Sequence, residues 1–344
     1  MLDQMKWAST VREIQLDATS YCNAGCGTCV RFKVGSWDLH QSIVLEHFDM
    51  DTWTKLVTKD IKDTRIDTIF FNGNWGDACM HPKLIDMVKL ALEENPKLGI
   101  KISTNGSLRT TKWWEELARV LGKRGHVIFC IEGVDQETHG KYRQKTFYKK
   151  IIENLTAFNN AGGNSVWMMT AFDHNIHQID QARELAKQLG CARYTTRRSH
   201  DDNIVFETHN VTTDNVKKEH IGITSFGPVH FSPVDAKQFP DQVSTQCSFY
   251  KIGSIQIDPH GTVWPCCYIS QYRWGMEEDG KDLKTPELND NAPFLSEKFN
   301  LKNKALTDIL QDVWYANKLA GAINTASWDV CTRNCKIKPV VEEI

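Results

Sequence analysis

The stretch Arg12-Glu13-Ile14-Gln15-Leu16-Asp17-Ala18-Thr19-Ser20-Tyr21-Cys22-Asn23-Ala24-Gly25-Cys26-Gly27-Thr28-Cys29 places three cysteines, spaced C-x-x-x-C-x-x-C, directly behind a strand-like run at residues 12–17. Three thiolates at this spacing serve one centre and leave its fourth position unfilled. Soft thiolates select iron–sulfur clusters, zinc or copper. A structural zinc site takes four protein ligands, and no fourth cysteine or histidine lies close by in sequence. A cubane cluster with one open iron is the better match.

Outward from this stretch, short β-rich runs alternate with helical patterns through residue 200. Strands are predicted at 12–17, 67–71, 99–103, 126–131, 165–170 and 192–196, and helices at 50–62, 82–94, 112–123, 149–160 and 177–189. Such alternation predicts a parallel α/β sheet with right-handed crossovers. Six units fit an incomplete (β/α)6 barrel or a doubly wound open sheet, which the pattern leaves open. The distinctive polar motifs all follow strands, and barrel chemistry gathers at strand C-terminal ends. From about residue 200 the alternation stops, Pro228, Pro233 and Pro240 precede Cys247, and a polar stretch runs through 271–291. The reading is therefore residues 1–200 as the α/β domain, 201–240 as a linker and 241–344 as a small domain.

Composition narrows the function classes. The 344 residues, 41% hydrophobic and 24% charged, suffice for one sizeable domain and a smaller one. A formal charge of −2 gives no global attraction to nucleic acid or to a membrane. Arg193, Arg197 and Arg198 are the local basic hint, and a surface charge cluster accounts for them equally well. No apolar run reaches the ~20 residues of a membrane span, and Met1–Lys6 carries no signal-peptide core. The chain reads as cytoplasmic, where eleven cysteines argue for metal ligation rather than disulfides.

Four further motifs stand behind strands. Phe71-Asn72-Gly73-Asn74-Trp75-Gly76-Asp77-Ala78-Cys79-Met80-His81-Pro82 has glycines that let backbone approach a ligand, and Pro82 to start a helix. Ser103-Thr104-Asn105-Gly106 offers three side chains able to bond a ribose or carboxylate, or to cap an ordinary turn. Ile131-Glu132-Gly133-Val134-Asp135-Gln136-Glu137-Thr138-His139-Gly140-Lys141-Tyr142-Arg143 follows the fourth strand, and Asn175 the fifth.

With the cysteines, these motifs resemble the radical S-adenosylmethionine (SAM) enzymes over roughly residues 10–200. The resemblance implies a partial, TIM-like (β/α)6 barrel. It also implies a [4Fe–4S] cluster on Cys22, Cys26 and Cys29, with SAM chelated to the open iron and cleaved by one electron to a 5′-deoxyadenosyl radical. By the same resemblance Gly73, Gly76 and Asp77 stand where the family's Gly-Gly-Glu-Pro region holds the SAM amino group. Ser103, Asn105 and Asn175 fall on the SAM side, Glu132 in the acidic ribose-binding place, and Arg143 is the partner of the SAM carboxylate, which its planar fork suits. Two departures are visible: Gly76-Asp77-Ala78 replaces Gly-Glu-Pro, and Thr28 stands where many relatives have an aromatic residue.

Cys247 precedes Ile255-Gln256-Ile257-Asp258-Pro259-His260-Gly261-Thr262-Val263-Trp264-Pro265-Cys266-Cys267, whose alternation around a Pro-His-Gly turn predicts a β-hairpin. A helix is predicted over 306–319, and Cys331 and Cys335 close the set. The segment resembles the auxiliary-cluster region of SPASM and twitch domains over roughly 245–340. It implies one auxiliary [4Fe–4S] cluster on Cys247, Cys266, Cys331 and Cys335, with Cys267 spare; a four-thiolate zinc site would use the same ligands.

The function read from these features is hydrogen abstraction from a peptide or protein, giving oxidation, crosslinking or epimerisation, with an electron donor such as flavodoxin or ferredoxin. Two alternatives stand beside it: twitch-type dehydrogenation of a small alcohol or sugar, and a zinc-stabilised, non-catalytic binding protein. In an epimerase, Cys79, Cys130 or Cys267 would be the candidate hydrogen donor, although Cys130 in mid-strand also reads as a small packing residue.

Overall fold

The computed structural model describes residues 10–32, 38–40, 43–198, 247, 249, 252–270 and 297–319. The chain divides into two compact units, one made of 1–16, 48–69 and 230–344, the other of 17–47 and 70–229. No described helix is long and apolar enough to cross a membrane.

The second unit carries the βα alternation. Strands β4 (Gly99–Thr104), β5 (Gly125–Cys130), β7 (Ser165–Ala171) and β8 (Arg193–Arg198) pair in parallel, each with the next in this order. Among the described residues, this run is open at β8, whose strand partner is β7. Helices α2 (Leu84–Glu94), α3 (Thr111–Leu121), α5 (Tyr148–Asn160) and α6 (Ile179–Gln188) are the crossovers. Each predicted strand and helix of this region is present, with ends shifted by one or two residues.

Alternation along β5 shows how the layers form. Phe129 turns toward the helices and packs on Trp114 of α3 and Phe158 of α5, with ring centroids 5.0 and 5.9 Å away. Ile128 and Cys130 face the other way, into a cluster with Val166, Met168 and Phe70. Helix α3 buries Trp114, Leu117, Ala118 and Leu121, an i, i+3, i+4, i+7 stripe, and its N-cap Thr110 accepts from the Trp113 N–H. Truncating a side chain such as Trp114 to alanine would cost about 3–5 kcal/mol.

In the first unit, β1 (Glu13–Leu16) pairs in parallel with β9 (Ser254–Ile257), and β9 pairs antiparallel with β10 (Val263–Trp264). The predicted hairpin is present. Its turn has Gly261 at φ +97°, and Asp258 accepts from the Thr262 N–H and the Trp264 indole, both at 2.9 Å. The partnership of β9 with β1 was not read from the sequence.

Three elements differ from expectation. The helix predicted over 50–62 is α-helical as α1 (Met50–Lys55) and then widens to a π turn over Leu56–Asp60, where Ile61 N–H reaches back to Leu56 O. The helix predicted over 306–319 breaks after α8 (Leu306–Leu310) and resumes as a π turn over Trp314–Leu319. Asp312 makes the break by accepting from the Trp314 N–H at 3.0 Å. A short helix, α4 (Gln136–Tyr142), was missed because its polar sequence around Gly140 has no apolar stripe.

Candidate active site

Cys22, Cys26 and Cys29 lie on one loop of the second unit, and other segments hold that loop at several points. The two-residue strand β2 (Gly25–Cys26) pairs antiparallel with β6 (Arg143–Gln144), which sets Cys26 opposite Arg143. Beside this ladder, Gly27 N–H donates to Tyr142 O at 3.3 Å, and the Thr28 and Tyr142 hydroxyls meet at 3.0 Å. Tyr142 thus supplies an aromatic ring beside the threonine that replaces the family's aromatic residue. The buried Arg31 closes the neck of the loop by donating to Ser20 O at 2.7 Å.

The third anchor explains a glycine. Asp77 N–H donates to Tyr21 O at 2.8 Å, and at Gly76 a Cβ would meet Thr19 O at 2.2 Å and Tyr21 O at 2.6 Å. Only a residue without Cβ permits this approach of backbone to backbone. Gly73, at φ +74°, forms the tight turn before it.

Asp77 itself faces inward. Its carboxylate accepts from Cys79 N–H at 2.9 Å, from the Thr104 hydroxyl at 2.9 Å, and from Asn105 N–H and side-chain amide at 2.8 and 2.6 Å. Burial pushes its pKa up, and these donors pull it back. The carboxylate expected at a SAM amino group is therefore saturated by its own chain and acts as a knot between the loops after β3 (Thr68–Phe71) and β4. Asn105 extends the knot to the cysteine loop, donating to Asn23 Oδ1 at 2.9 Å and lying 3.9 Å from Cys22 Sγ.

Glu132 and Arg143 come together as a pair. The fully buried Glu132 carboxylate accepts from Arg143 Nε at 2.5 Å and Nη2 at 3.0 Å, while Arg143 Nη1 donates to Cys26 Sγ at 3.4 Å. Asn175 is also fully buried, and its amide donates to Glu132 O and Thr170 O at 3.1 and 2.9 Å, fixing the turn after β7. Ser103 is half-buried at the end of β4, 3.5 Å from the Cys130 sulfur. Cys79 and Cys130 are both buried.

Burial also dominates the thiols, pushing Cys22 and Cys26 up to about 12 and raising Cys29. Arg143 opposes this at Cys26, and Arg31 opposes it at Cys29 and Cys22. Each sulfur feels the charge of another of the three. Among the described residues no three His, Cys, Asp or Glu side chains gather closely enough for a single ion. In a cubane each thiolate ligates its own iron, so the three need not share one coordination sphere. The donor set fits such a cluster: three soft thiols, the Arg143 guanidinium on the Cys26 sulfur, the charge of Arg31 acting on Cys22 and Cys29, and an Arg31 Nε–H that is buried without a partner among the described residues. Arg31 and the His139–Thr146 contact behind Arg143 were not singled out in the sequence.

For the second centre, Cys266 lies two residues beyond the end of β10 and its sulfur accepts from Ile269 N–H at 3.4 Å, while Cys267 starts the short helix α7 (Cys267–Ser270). Cys331, Cys335 and the expected linker at 201–240 lie outside the described residues.

This parallel α/β fold, with three thiols on a loop at its strand ends, defines a class of enzymes that use a [4Fe–4S] cluster and SAM. The chain belongs to the radical SAM superfamily, whose family model matches residues 17–186. A Pyrococcus furiosus relative, the tungsten-containing aldehyde ferredoxin oxidoreductase cofactor-modifying protein, is 30% identical over 110 residues. That match spans 32% of this chain and 28% of the relative, less than two thirds of its length. Among solved structures, Streptococcus suis SuiB superposes with a TM-score of 0.59 at 15% identity, over 92% of this chain and 68% of SuiB. The AdoMet- and peptide-bound anSMEcpe superposes with a TM-score of 0.56 at 12% identity, over 94% of this chain and 88% of that one. At these identities both likenesses are likenesses of fold.

Proposed function

We propose that Cys22, Cys26 and Cys29 hold the SAM-binding [4Fe–4S] cluster and that the chain modifies a peptide or protein by hydrogen abstraction. The observation that carries this reading is the cysteine loop, locked by the β2–β6 ladder and the Gly76 approach, with the Arg143 guanidinium on the Cys26 sulfur and the charge of Arg31 acting on Cys22 and Cys29. When bound, cluster and SAM supply reductive cleavage to a 5′-deoxyadenosyl radical, the electron coming from a flavodoxin- or ferredoxin-like donor.

The chain's own residues provide the frame. The Asp77 knot keeps the cysteine loop against the ends of β3 and β4, and Gly73 and Gly76 expose backbone there. Ser103 offers a half-buried hydroxyl for a ribose or carboxylate, and Asn105, Glu132 and Asn175 fix the surrounding turns. The guanidinium groups offset the charge of the thiolates, which burial alone would keep protonated. On the SPASM and twitch resemblance, residues 241–344 form the auxiliary domain, with Cys247, Cys266, Cys331 and Cys335 as its ligands. The peptide class is supported by the structures of SuiB with precursor peptide SuiA and of anSMEcpe with the Cp18Cys peptide. A second reading, modification of a cofactor-like small molecule, is favoured by the 30% identity to the P. furiosus cofactor-modifying protein.

Anaerobic reconstitution tests the proposal. The protein should bind about four irons per cubane and release 5′-deoxyadenosine from SAM upon dithionite reduction, and C22A/C26A/C29A should lose that product. Equal product from the triple variant would sink the ligand assignment. Mass spectrometry of synthetic peptides, read for loss of two hydrogens or for deuterium uptake from solvent, then separates the two substrate classes.

A further inference from the structure

The Arg143 guanidinium is fixed from behind by a closed ring of contacts. Glu132 takes two of its N–H groups, and Glu132 N–H donates to His139 Nδ1 at 3.1 Å. His139 Nε2 lies 3.0 Å from the Thr146 hydroxyl, which donates to Arg143 O at 2.6 Å. Because that hydroxyl gives its one hydrogen to the carbonyl, His139 must donate from Nε2 and accept at Nδ1. The ring is thus a single neutral tautomer, consistent with burial, which pushes its pKa down to about 3. Glu132 and His139 have no exposed surface.

The side of the fork turned away from Glu132 meets the cysteine loop. With Cys26 paired opposite Arg143 across the β2–β6 ladder, Arg143 Nη1 points at the Cys26 sulfur from 3.4 Å. Three of its five N–H groups are committed in this way, two to the carboxylate and one to sulfur.

From this geometry we infer that Arg143, beyond any contact with the SAM carboxylate, is a positioning residue that raises the reduction potential of the cluster on Cys22, Cys26 and Cys29. The inference rests on the ligand assignment proposed above. A reduced cluster carries one more negative charge than an oxidised one. An N–H donor and a cation at a ligating sulfur stabilise it selectively, one of the levers by which proteins tune such potentials. Glu132, His139 and Thr146 serve by holding the donor on the sulfur.

The test is an EPR-monitored reductive titration of the reconstituted full-length protein without SAM, in wild type, R143K, R143Q and E132Q/R143Q. Iron content and circular dichroism are recorded for each, and the double variant guards against the stranded Glu132 carboxylate of R143Q. R143Q should shift the reduction equilibrium about tenfold toward the oxidised cluster, a fall of about 59 mV for one electron. E132Q/R143Q should fall in the same direction, and R143K should lie between wild type and R143Q. Unchanged potentials in R143Q and E132Q/R143Q, with or without a loss of SAM affinity measured by isothermal titration, would overturn the inference. If wild type and C22A/C26A/C29A give the same EPR spectrum after SAM addition, the ligand assignment itself fails, an outcome distinct from an unshifted potential.

Discussion

Gly76→Ala isolates a single close approach. An added Cβ would stand 2.2 Å from Thr19 O, 2.6 Å from Tyr21 O and 2.9 Å from Ser20 C, all backbone atoms, where real Cβ atoms stay beyond 3.0 Å. No rotamer relieves the contact, so the loop after β3 must retreat from the cysteine loop by most of an ångström. Overpacking of this kind costs about 1–3 kcal/mol, and stretching the Asp77 N–H to Tyr21 O bond adds about 0.5–1.5 kcal/mol. Lower entropy of the unfolded alanine chain returns about 0.4–1 kcal/mol, leaving a net loss centred on about 2 kcal/mol, within a span of roughly 0.5–4 kcal/mol. Gly140→Ala is the matched control, with the same entropy change. At Gly140, within α4, the nearest atom is the flexible Gln136 Nε2 at 3.1 Å, so helix propensity makes that variant neutral or up to about 1 kcal/mol more stable. Urea midpoints of metal-free protein, with hydrogen exchange of peptides covering 17–32 and 72–80, report the difference. G76A should unfold earlier and exchange faster in both peptides. If G76A and G140A unfold at the same urea concentration, the two loops do not approach as described.

Three further outcomes follow from the same structure. His126 is pushed down to about 4, first by burial and then by the charges of Lys101 and Arg193. It is therefore neutral when folded and takes up a proton on unfolding below its ordinary 6.5. The unfolded state then binds more protons, so stability is full above pH 6.5 and falls as pH drops toward 4. H126Q should flatten urea midpoints plotted across that window, and a slope equal to wild type would count against the assignment. Asp77→Asn puts an amide N–H₂ among the donors from Thr104, Asn105 and Cys79 and should cost about 1–3 kcal/mol, read as a lower melting temperature; an unchanged melt would argue against the knot. Tyr142→Phe removes only the hydroxyl contact with Thr28 and should cost about 0.5–1.5 kcal/mol, with faster exchange confined to the cysteine loop, and uniform exchange across the protein would refute that local role.

Much of the fold was readable locally. The alternation at Gly125–Cys130 and the stripe Trp114, Leu117, Ala118 and Leu121 identify their elements because the periods of strand and helix are written in neighbouring residues. The breaks were not readable. The wide turn at Leu56–Asp60 and the interruption at Asp312 arise from side-chain contacts such as Leu306 N–H to Asp60 at 3.0 Å and Trp314 N–H to Asp312, one of which joins residues far apart in the chain. At the site, the cysteine spacing and the acidic and basic residues of each motif were visible by type. Their pairing was not: Asp77 and Glu132 read as acids open to a ligand, yet one is tied by Thr104 and Asn105 and the other by Arg143.

The sequence by itself determined the chemistry on offer, three thiols behind a first strand and polar motifs behind later ones, because residue type and spacing are local properties. Only the tertiary structure decided which of those groups face each other: β9 beside β1, Gly76 against Thr19, and Arg143 between Glu132 and Cys26. The free energy that selects these contacts comes from burial and from hydrogen bonds between segments far apart in the chain, and a buried charge takes whichever partner the packing brings within reach.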